Sequence, residues 1–234
     1  MNTTHSSPLP IQQLVDRQIK EWEIQKRTRR SDPGKTPIDH HEFVTISRTL
    51  GSGGNDIAHL LGQQIGWPVI DNEIIQVMAR DDDTRERLYD SLDERDRGWV
   101  EDFLHTILDR DYHWNDYFKN LVETVASISR QGQAIFLGRG ADLILPKHIG
   151  LRIRVVAPEQ DRLRVYAQRR GLPIEKVRDD LARIDKEREE FIRTHFRIDP
   201  GSPTQYDFVF NTERVSFEEA ADLIGHHLKS KRIV

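Results

Sequence analysis

The residues Gly51-Ser52-Gly53-Gly54 stand between an apolar run, Phe43-Val44-Thr45-Ile46-Ser47, and a segment in which Ile57, Leu60, Leu61 and Ile65 repeat at helical spacing. A glycine-rich turn between a strand and a helix suits phosphate. Successive main-chain N–H groups converge on one anion, and the helix N-terminus adds its partial positive charge. That cradle comprises Gly51, Ser52, Gly53, Gly54, Asn55 and Asp56. A full loop of this kind reads G-x-x-x-x-G-K-[S/T], and its lysine position falls here on Gly54. Arg48, at the end of the apolar run, is the candidate substitute cation, because its planar fork donates well to phosphate oxygens. Asp56 stands evenly between Mg²⁺ contact and a plain residue of a helix's first turn.

Other candidates lie where further apolar runs end. Pro68-Val69-Ile70 ends at Asp71, Ala134-Ile135-Phe136-Leu137 runs into Gly138-Arg139-Gly140, and Tyr206-Asp207-Phe208-Val209-Phe210 runs into Asn211-Thr212. Each candidate also has a plain structural reading. Asp71 could cap the helix starting at Asn72-Glu73, and Arg139 could form a surface ion pair. Arg188 could sit on a solvated helix among Asp185, Glu187, Glu189 and Glu190. The ten histidines show no H-E-x-x-H or comparable spacing, so no transition-metal site is expected.

The elements that must position these residues alternate. Helical patterns occupy 11–30, the stretch after Gly54, three segments within 72–131, then 158–170, 174–197 and 216–229, where Ser216 and Glu219 form a capping box. Short strands alternating with helices imply βαβ units: a three-layer α/β fold with a parallel sheet of about five strands and helices on both faces. Ligands in such sheets bind at the carboxyl ends of the strands, where Ser47-Arg48, Asp71, Gly138-Arg139 and Asn211-Thr212 all fall. The segment Ser31-Asp32-Pro33-Gly34-Lys35-Thr36-Pro37 reads as a linker, which divides the chain into a helical arm and linker over 1–40 and a domain over 41–234. Lys26, Arg27, Arg29 and Arg30 suit the negative end of the arm helix.

Composition narrows the classes. At 234 residues the chain fits one domain with an appendage. It contains no apolar run of the roughly 18 residues that a membrane span needs, and its first residues lack the pattern of a signal peptide. With no cysteine, disulfides, thiolate metal sites and a cysteine nucleophile are excluded, and a cytoplasmic location is the natural expectation. A net charge of −4 argues against a general nucleic-acid binder.

The segment Ile46-Ser47-Arg48-Thr49-Leu50-Gly51-Ser52-Gly53-Gly54-Asn55-Asp56-Ile57-Ala58 resembles the opening of the cytidylate kinase-like family, a divergent branch of the P-loop nucleoside monophosphate kinases. Trp67-Pro68-Val69-Ile70-Asp71 resembles its second strand, Ile135-Phe136-Leu137-Gly138-Arg139-Gly140 its strand and glycine-arginine turn, and Arg183-Ile184-Asp185-Lys186-Glu187-Arg188 its lid. The resemblance spans about 43–224. It implies a kinase using ATP and Mg²⁺ on a nucleoside monophosphate, CMP or dCMP first. By the same resemblance, Gly51 to Asp56 would cradle the donor, and Asp71, Arg139, Asp185 and Arg188 would hold the acceptor. Arg48, Arg139 and Arg188 would act on the transferring group. The resemblance also places an acceptor-side helical insert at 72–131 and a lid near 178–203. True cytidylate kinases carry a lysine where this chain has Gly54, an aspartate where it has Gly140 (Asp142 follows two residues on), and a lid arginine where it has Leu181. Two other functions stay open: a nucleotide-binding regulatory module without turnover, or a kinase for another small acceptor. In the module, the arm's apolar stripe with Trp22 would serve as a partner or homodimer surface.

Overall fold

The computed structural model describes residues 11–30, 42–110 and 112–231, with side chains at 25–30 left aside. Five parallel strands form one sheet in the order β2-β3-β1-β4-β5: β1 (Phe43–Arg48), β2 (Val69–Ile70), β3 (Ala134–Leu137), β4 (Leu151–Val156) and β5 (Phe208–Asn211). The three central strands read as near-continuous Val, Ile, Leu and Phe because both faces of a parallel sheet are covered. The register pairs Ile46 with Leu137 and with Ile153, so β3 ends level with Ile46 while β1 and β4 run about two residues further.

The pleat sends alternate residues to two cores. Val44, Ile46, Ile153 and Val155 pack with Ile57 and Leu61 of α2 (Gly54–Ile65) and with Ile224 of α10 (Phe217–Ser230). Phe43 and Phe136 face the opposite core, built from α1 (Ile11–Arg30), α3 (Asn72–Arg80), α6 (Asp116–Gln131) and α7 (Ala141–Ile144). This is the three-layer arrangement expected from the pattern of elements. Between them, α4 (Asp82–Asp90), α5 (Glu94–Leu108) and α6 complete the helical insert, and α8 (Glu159–Arg170) and α9 (Ile174–Phe196) follow β4. Helix ends follow local chemistry. The Ser216–Glu219 capping box is present at α10, Asp71 and Asn115 cap α3 and α6, and left-handed Gly66 closes α2.

Two elements have no counterpart in the expected pattern. The helix α4, Asp-Asp-Thr-Arg-Glu-Arg-Leu-Tyr-Asp, has too few apolar residues to show a stripe, and is held by buried Leu88 and Thr84. The helix α7 is only one turn long.

The largest difference concerns α1. Its stripe, Val15, Ile19 and Trp22, is buried in the same core as Phe118 and Phe136, against α3, and Asp16 pairs with Arg87 of α4 at 2.8 Å. Of the stripe expected to receive a partner or second copy, Val15, Ile19 and Trp22 are therefore covered by the chain itself, while Ile24 stays exposed. The linker expected at 31–37 lies outside the described residues. Trp22→Ala should lower the unfolding free energy by about 3–5 kcal/mol in a urea titration, the usual cost of emptying a buried aromatic site. A loss below about 1 kcal/mol, the level of an ordinary surface change, would show that α1 does not dock in solution.

Candidate functional site

Arg48 ends β1 with its stem packed on the first turn of α2. A Cβ added to Gly54 would lie 2.7 Å from Arg48 Cβ and 2.9 Å from Cγ, closer than packed carbons approach. The lysine position is thus glycine because the Arg48 stem fills the space a side chain would need. Arg48 Nε donates to Asn55 Oδ1 at 3.2 Å and Nη2 to Asn72 Oδ1 at 2.9 Å, both neutral partners. Its tip runs to the next strand end, where a Cβ on Gly138 would meet Nη1 at 2.1 Å.

The glycine loop itself takes left-handed backbone at Gly51 and Gly53. Ser52 Oγ ties it to β4 by donating to Thr49 O at 2.8 Å and Val155 O at 3.1 Å. Thr49 Oγ1 is buried without a protein partner. Asp56 pairs with Arg169 of α8.

After β3 the chain turns through three successive left-handed residues, with φ of 74° at Gly138, 55° at Arg139 and 66° at Gly140. A non-glycine residue in this region carries strain, and here the strain lies beside the cleft. Any side chain at 140 would meet the Phe196 ring at 2.5 Å, which accounts for glycine where the resembling kinases carry aspartate. Arg139 lies over the Phe191 ring at 5.7 Å, and the Gln76 carboxamide oxygen, in its satisfied orientation, accepts from its guanidinium.

Helix α9 crosses above these strand ends. Asp185 accepts from Leu50 N at 2.8 Å and pairs with Arg162 of α8, so it stitches α9 to the glycine loop. One turn on, Arg188 Nη1 lies 3.5 Å from Arg48 O. The far end of α9 is anchored on the insert. His195 stacks on Phe118 with ring centroids 4.4 Å apart, His195 Nδ1 meets His113 O at 2.9 Å, and Phe196 packs edge-on against Phe118. Asp71 accepts from Glu73 N and Ile74 N, both at 2.9 Å, which is the cap geometry.

Sequence reasoning assigned no role to three residues that share this cleft. Arg154 of β4 donates from Nη1 to Ser47 Oγ at 2.7 Å and lies 5.9 Å from the centre of the Tyr206 ring. The Tyr206 hydroxyl donates to Pro200 O at 3.1 Å. Asp142 lines the same cleft, almost fully buried. One signal was available for Arg154: with Arg152 it places a charged residue at alternate positions of a strand otherwise reading Leu-Ile-Val-Val.

The cleft, about 230 Å³, joins Arg48, Arg139, Arg154 and Arg188. Among the described residues none of the four ion-pairs with a carboxylate; their partners are amides, a hydroxyl, main-chain oxygen and aromatic faces. Arginines elsewhere find acids, as Arg162 does with Asp185, Arg169 with Asp56 and Arg130 with Asp96. Burial, then repulsion from Arg188, pulls the Arg48 guanidinium down to about 9, while Asp71 acts in the opposite direction. Burial likewise lowers Arg139 and Arg188, and raises the Asp142 carboxyl despite Arg152 and Arg154 nearby. Desolvated cations with neutral partners are costly until an anion arrives, so the arrangement is built for a polyanion. The left-handed glycine loop and the orphaned Thr49 hydroxyl at the cleft's edge suit a polyphosphate. No group of three or more histidine or acidic residues that could hold a metal ion occurs among the described residues, and no helix among them is long and apolar enough to cross a membrane.

The sequence model of the cytidylate kinase-like family matches residues 43–214. Among solved structures, an uncharacterized protein from Eubacterium ventriosum ATCC 27560 superposes with a TM-score of 0.57 at 17% identity, covering 81% of this chain and 99% of that one. That likeness concerns the fold. A shikimate kinase from Bacteroides thetaiotaomicron covers 80% of this chain and 98% of its own, at 12% identity and a TM-score of 0.43. A curated relative, a uronate isomerase from Corynebacterium glutamicum, is 31% identical over 91 residues, which are 38% of this chain and 18% of that protein. The chain thus spans less than a fifth of that relative's length.

The close approach at Gly54 makes a prediction. Gly54→Lys, which restores the usual loop sequence, should displace Arg48 and lower stability by about 1–3 kcal/mol, the range for overpacking. The check is thermal melting with and without Mg²⁺-ATP. A variant as stable as the parent, with tighter ATP binding, would contradict the account of why the lysine is absent.

Proposed function

The chain belongs to the cytidylate kinase-like family, and from that premise we propose that it is a phosphotransferase carrying the ATP γ-phosphate to a nucleoside monophosphate, with CMP or dCMP first. The observation that supports this reading most is the convergence, on the cleft at the strand ends, of four buried or half-buried arginines that form no ion pair among the described residues. Phosphoryl transfer asks a protein mainly to position two anions and stabilise the charge that spreads over the transferring group. Mg²⁺, to which the Thr49 hydroxyl beside the glycine loop could offer a side-chain oxygen, would neutralise part of the donor's charge.

In this reading the amides of residues 51–56 receive the donor phosphates and Arg48 takes the place of the absent lysine. Thr49, whose buried hydroxyl has no protein partner, offers the side-chain oxygen at the same end. Arg139 holds the acceptor phosphate from a strained turn, and Arg188 reaches the transferring group from α9. An oxygen of the acceptor phosphate attacks the γ-phosphorus, the bond from that phosphorus to the β–γ bridging oxygen breaks, and ADP leaves. A phosphate monoester is already mostly dianionic at neutral pH, so the attacking oxygen needs no general base. Asp71 and Asp185, expected on the acceptor, spend their carboxylates on main-chain N–H groups in this structure. We assign them to positioning α3 and α9. Covering the cleft with α9 limits transfer to water.

A second reading, a nucleotide-binding module without turnover, draws on Gly54. Calorimetry with Mg²⁺-ATP and coupled ADP release on CMP, dCMP, UMP and AMP separate the two: binding without turnover on any acceptor selects the module. Arg139→Ala should cut acceptor-dependent turnover by about 10²–10³, the usual cost of losing one charge-stabilising donor, while Mg²⁺-ATP affinity stays within about threefold, since other residues hold the donor. Parallel loss of both would overturn the assignment of Arg139 to the acceptor.

A further inference from the structure

Two arginines two residues apart on β4 point to the same face of the sheet and fare differently. Arg152 is spent on structure: Nε donates to Asp142 O, Nη1 to Lys147 O and Ile149 O, and Nη2 to Leu145 O and Pro146 O, at 2.7 to 3.3 Å. All five of its N–H donors therefore serve carbonyls around α7. Arg154 lines the cleft, donates to Ser47 and packs by the Tyr206 ring; Asp142 is nearby, but among the described residues no carboxylate lies within ion-pair distance of it. The rest of its guanidinium lines the cleft that the acceptor would enter.

Position separates Arg154 from the reacting end. Ile46 and Arg48 lie on the α2 side of β1, where the Arg48 stem covers Gly54 beside the glycine loop. Ser47, in register with Arg154, lies on the opposite side, toward α7 and α9. The acceptor-side arginine, Arg139, lies in the turn after β3, and β1 lies between β3 and β4, so the strands that lead to Arg139 and Arg154 are two strand spacings, about 10 Å, apart. An acceptor whose phosphate stays beside Arg139 would present another part of itself to Arg154. The nearby Asp142 carboxyl, raised by burial against the pull of Arg152 and Arg154, makes no ion pair with Arg154 among the described residues.

We propose that Arg154, with Ser47 and Tyr206, is a specificity-determining site for a second anionic group on the acceptor, a carboxylate or a further phosphate remote from the phosphate held at Arg139. The inference rests on the reading of the cleft as a phosphotransfer site, and within that reading it moves the preferred acceptor from CMP or dCMP, which carry one anionic group, to a phosphate monoester that carries two. A planar guanidinium with free donors receives either anion in bidentate fashion. A site with buried donors left unpaired discriminates against a ligand that cannot satisfy them.

Matched probes test it on the full chain with Mg²⁺-ADP present: CMP against cytidine 3′,5′-bisphosphate, and glycerol 3-phosphate against 3-phosphoglycerate. Members of each pair differ chiefly by the second anion, phosphate in the first and carboxylate in the second. The expected result is at least about tenfold tighter binding of the doubly anionic member in one pair or both, the low end for one charged hydrogen-bonded contact. Arg154→Gln should shrink that gap to under about threefold, and Arg154→Lys, which keeps the charge, should retain most of it. Equal binding within both pairs, absence of binding by all four probes, or a gap that survives Arg154→Gln overturns the proposal. An equal loss for both members in Arg154→Gln also overturns it, since Arg154 would then act on the shared phosphate. Failure of Mg²⁺-ATP to bind would instead sink the phosphotransfer reading beneath it.

Discussion

The structure depends on one arginine packed where the usual loop would place a lysine. Arg48 leaves β1 with its stem against Gly54 and its guanidinium between Asn55 and Asn72, reaching the turn after β3. A lysine approaching from the helix side would need the same volume. Two solutions to the same electrostatic requirement are thus mutually exclusive, and this chain has the strand-borne one. The consequence is a cation fixed by two neutral amides, keeping its charge available to a ligand at the cost of desolvation without an ion pair.

The surrounding elements sustain that arrangement. Asp185 joins α9 to Leu50 N and to Arg162, so the helix above the cleft and the glycine loop below it are one unit. The aromatic group of Phe118, His195 and Phe196 ties the other end of α9 to the helical insert. Phe196 also lies over Gly140, which couples that anchor to the strained turn carrying Arg139. Three acids near the cleft are engaged in the scaffold: Asp56 by Arg169, Asp185 by Arg162 and the loop, and Asp71 by its cap. Among the described residues no acid ion-pairs with the four cleft arginines, which leaves their charge available to a ligand.

Much of this was legible in order but not in role. The glycine loop, Arg139 at a strand end and the capping box of α10 follow from local chemistry, because turns, caps and strand ends are written in a few adjacent residues. Asp71 and Asp185 were visible as candidates, yet a carboxylate can cap a helix or contact a ligand with the same sequence signature, and only its hydrogen-bond partner distinguishes the two. Arg154 and Asp142 were missed as a pair for a related reason. Nothing in a linear sequence separates an arginine that saturates five carbonyls, as Arg152 does, from one two residues later that faces a cleft.

By itself the sequence determined the alternation of strands and helices, the phosphate-suited turn and the position of every central strand, since each is set by hydrophobic period and by glycine, proline and capping residues within a few positions. It also determined that the usual lysine is missing. Tertiary structure alone decided which charges neutralise one another and which remain available. It turned the stripe of α1 into core, and it gathered arginines from β1, β3, β4 and α9 into one cleft. The physical reason is that local conformation depends on neighbours along the chain, whereas the state of a charge depends on whatever the fold brings within a few ångströms of it.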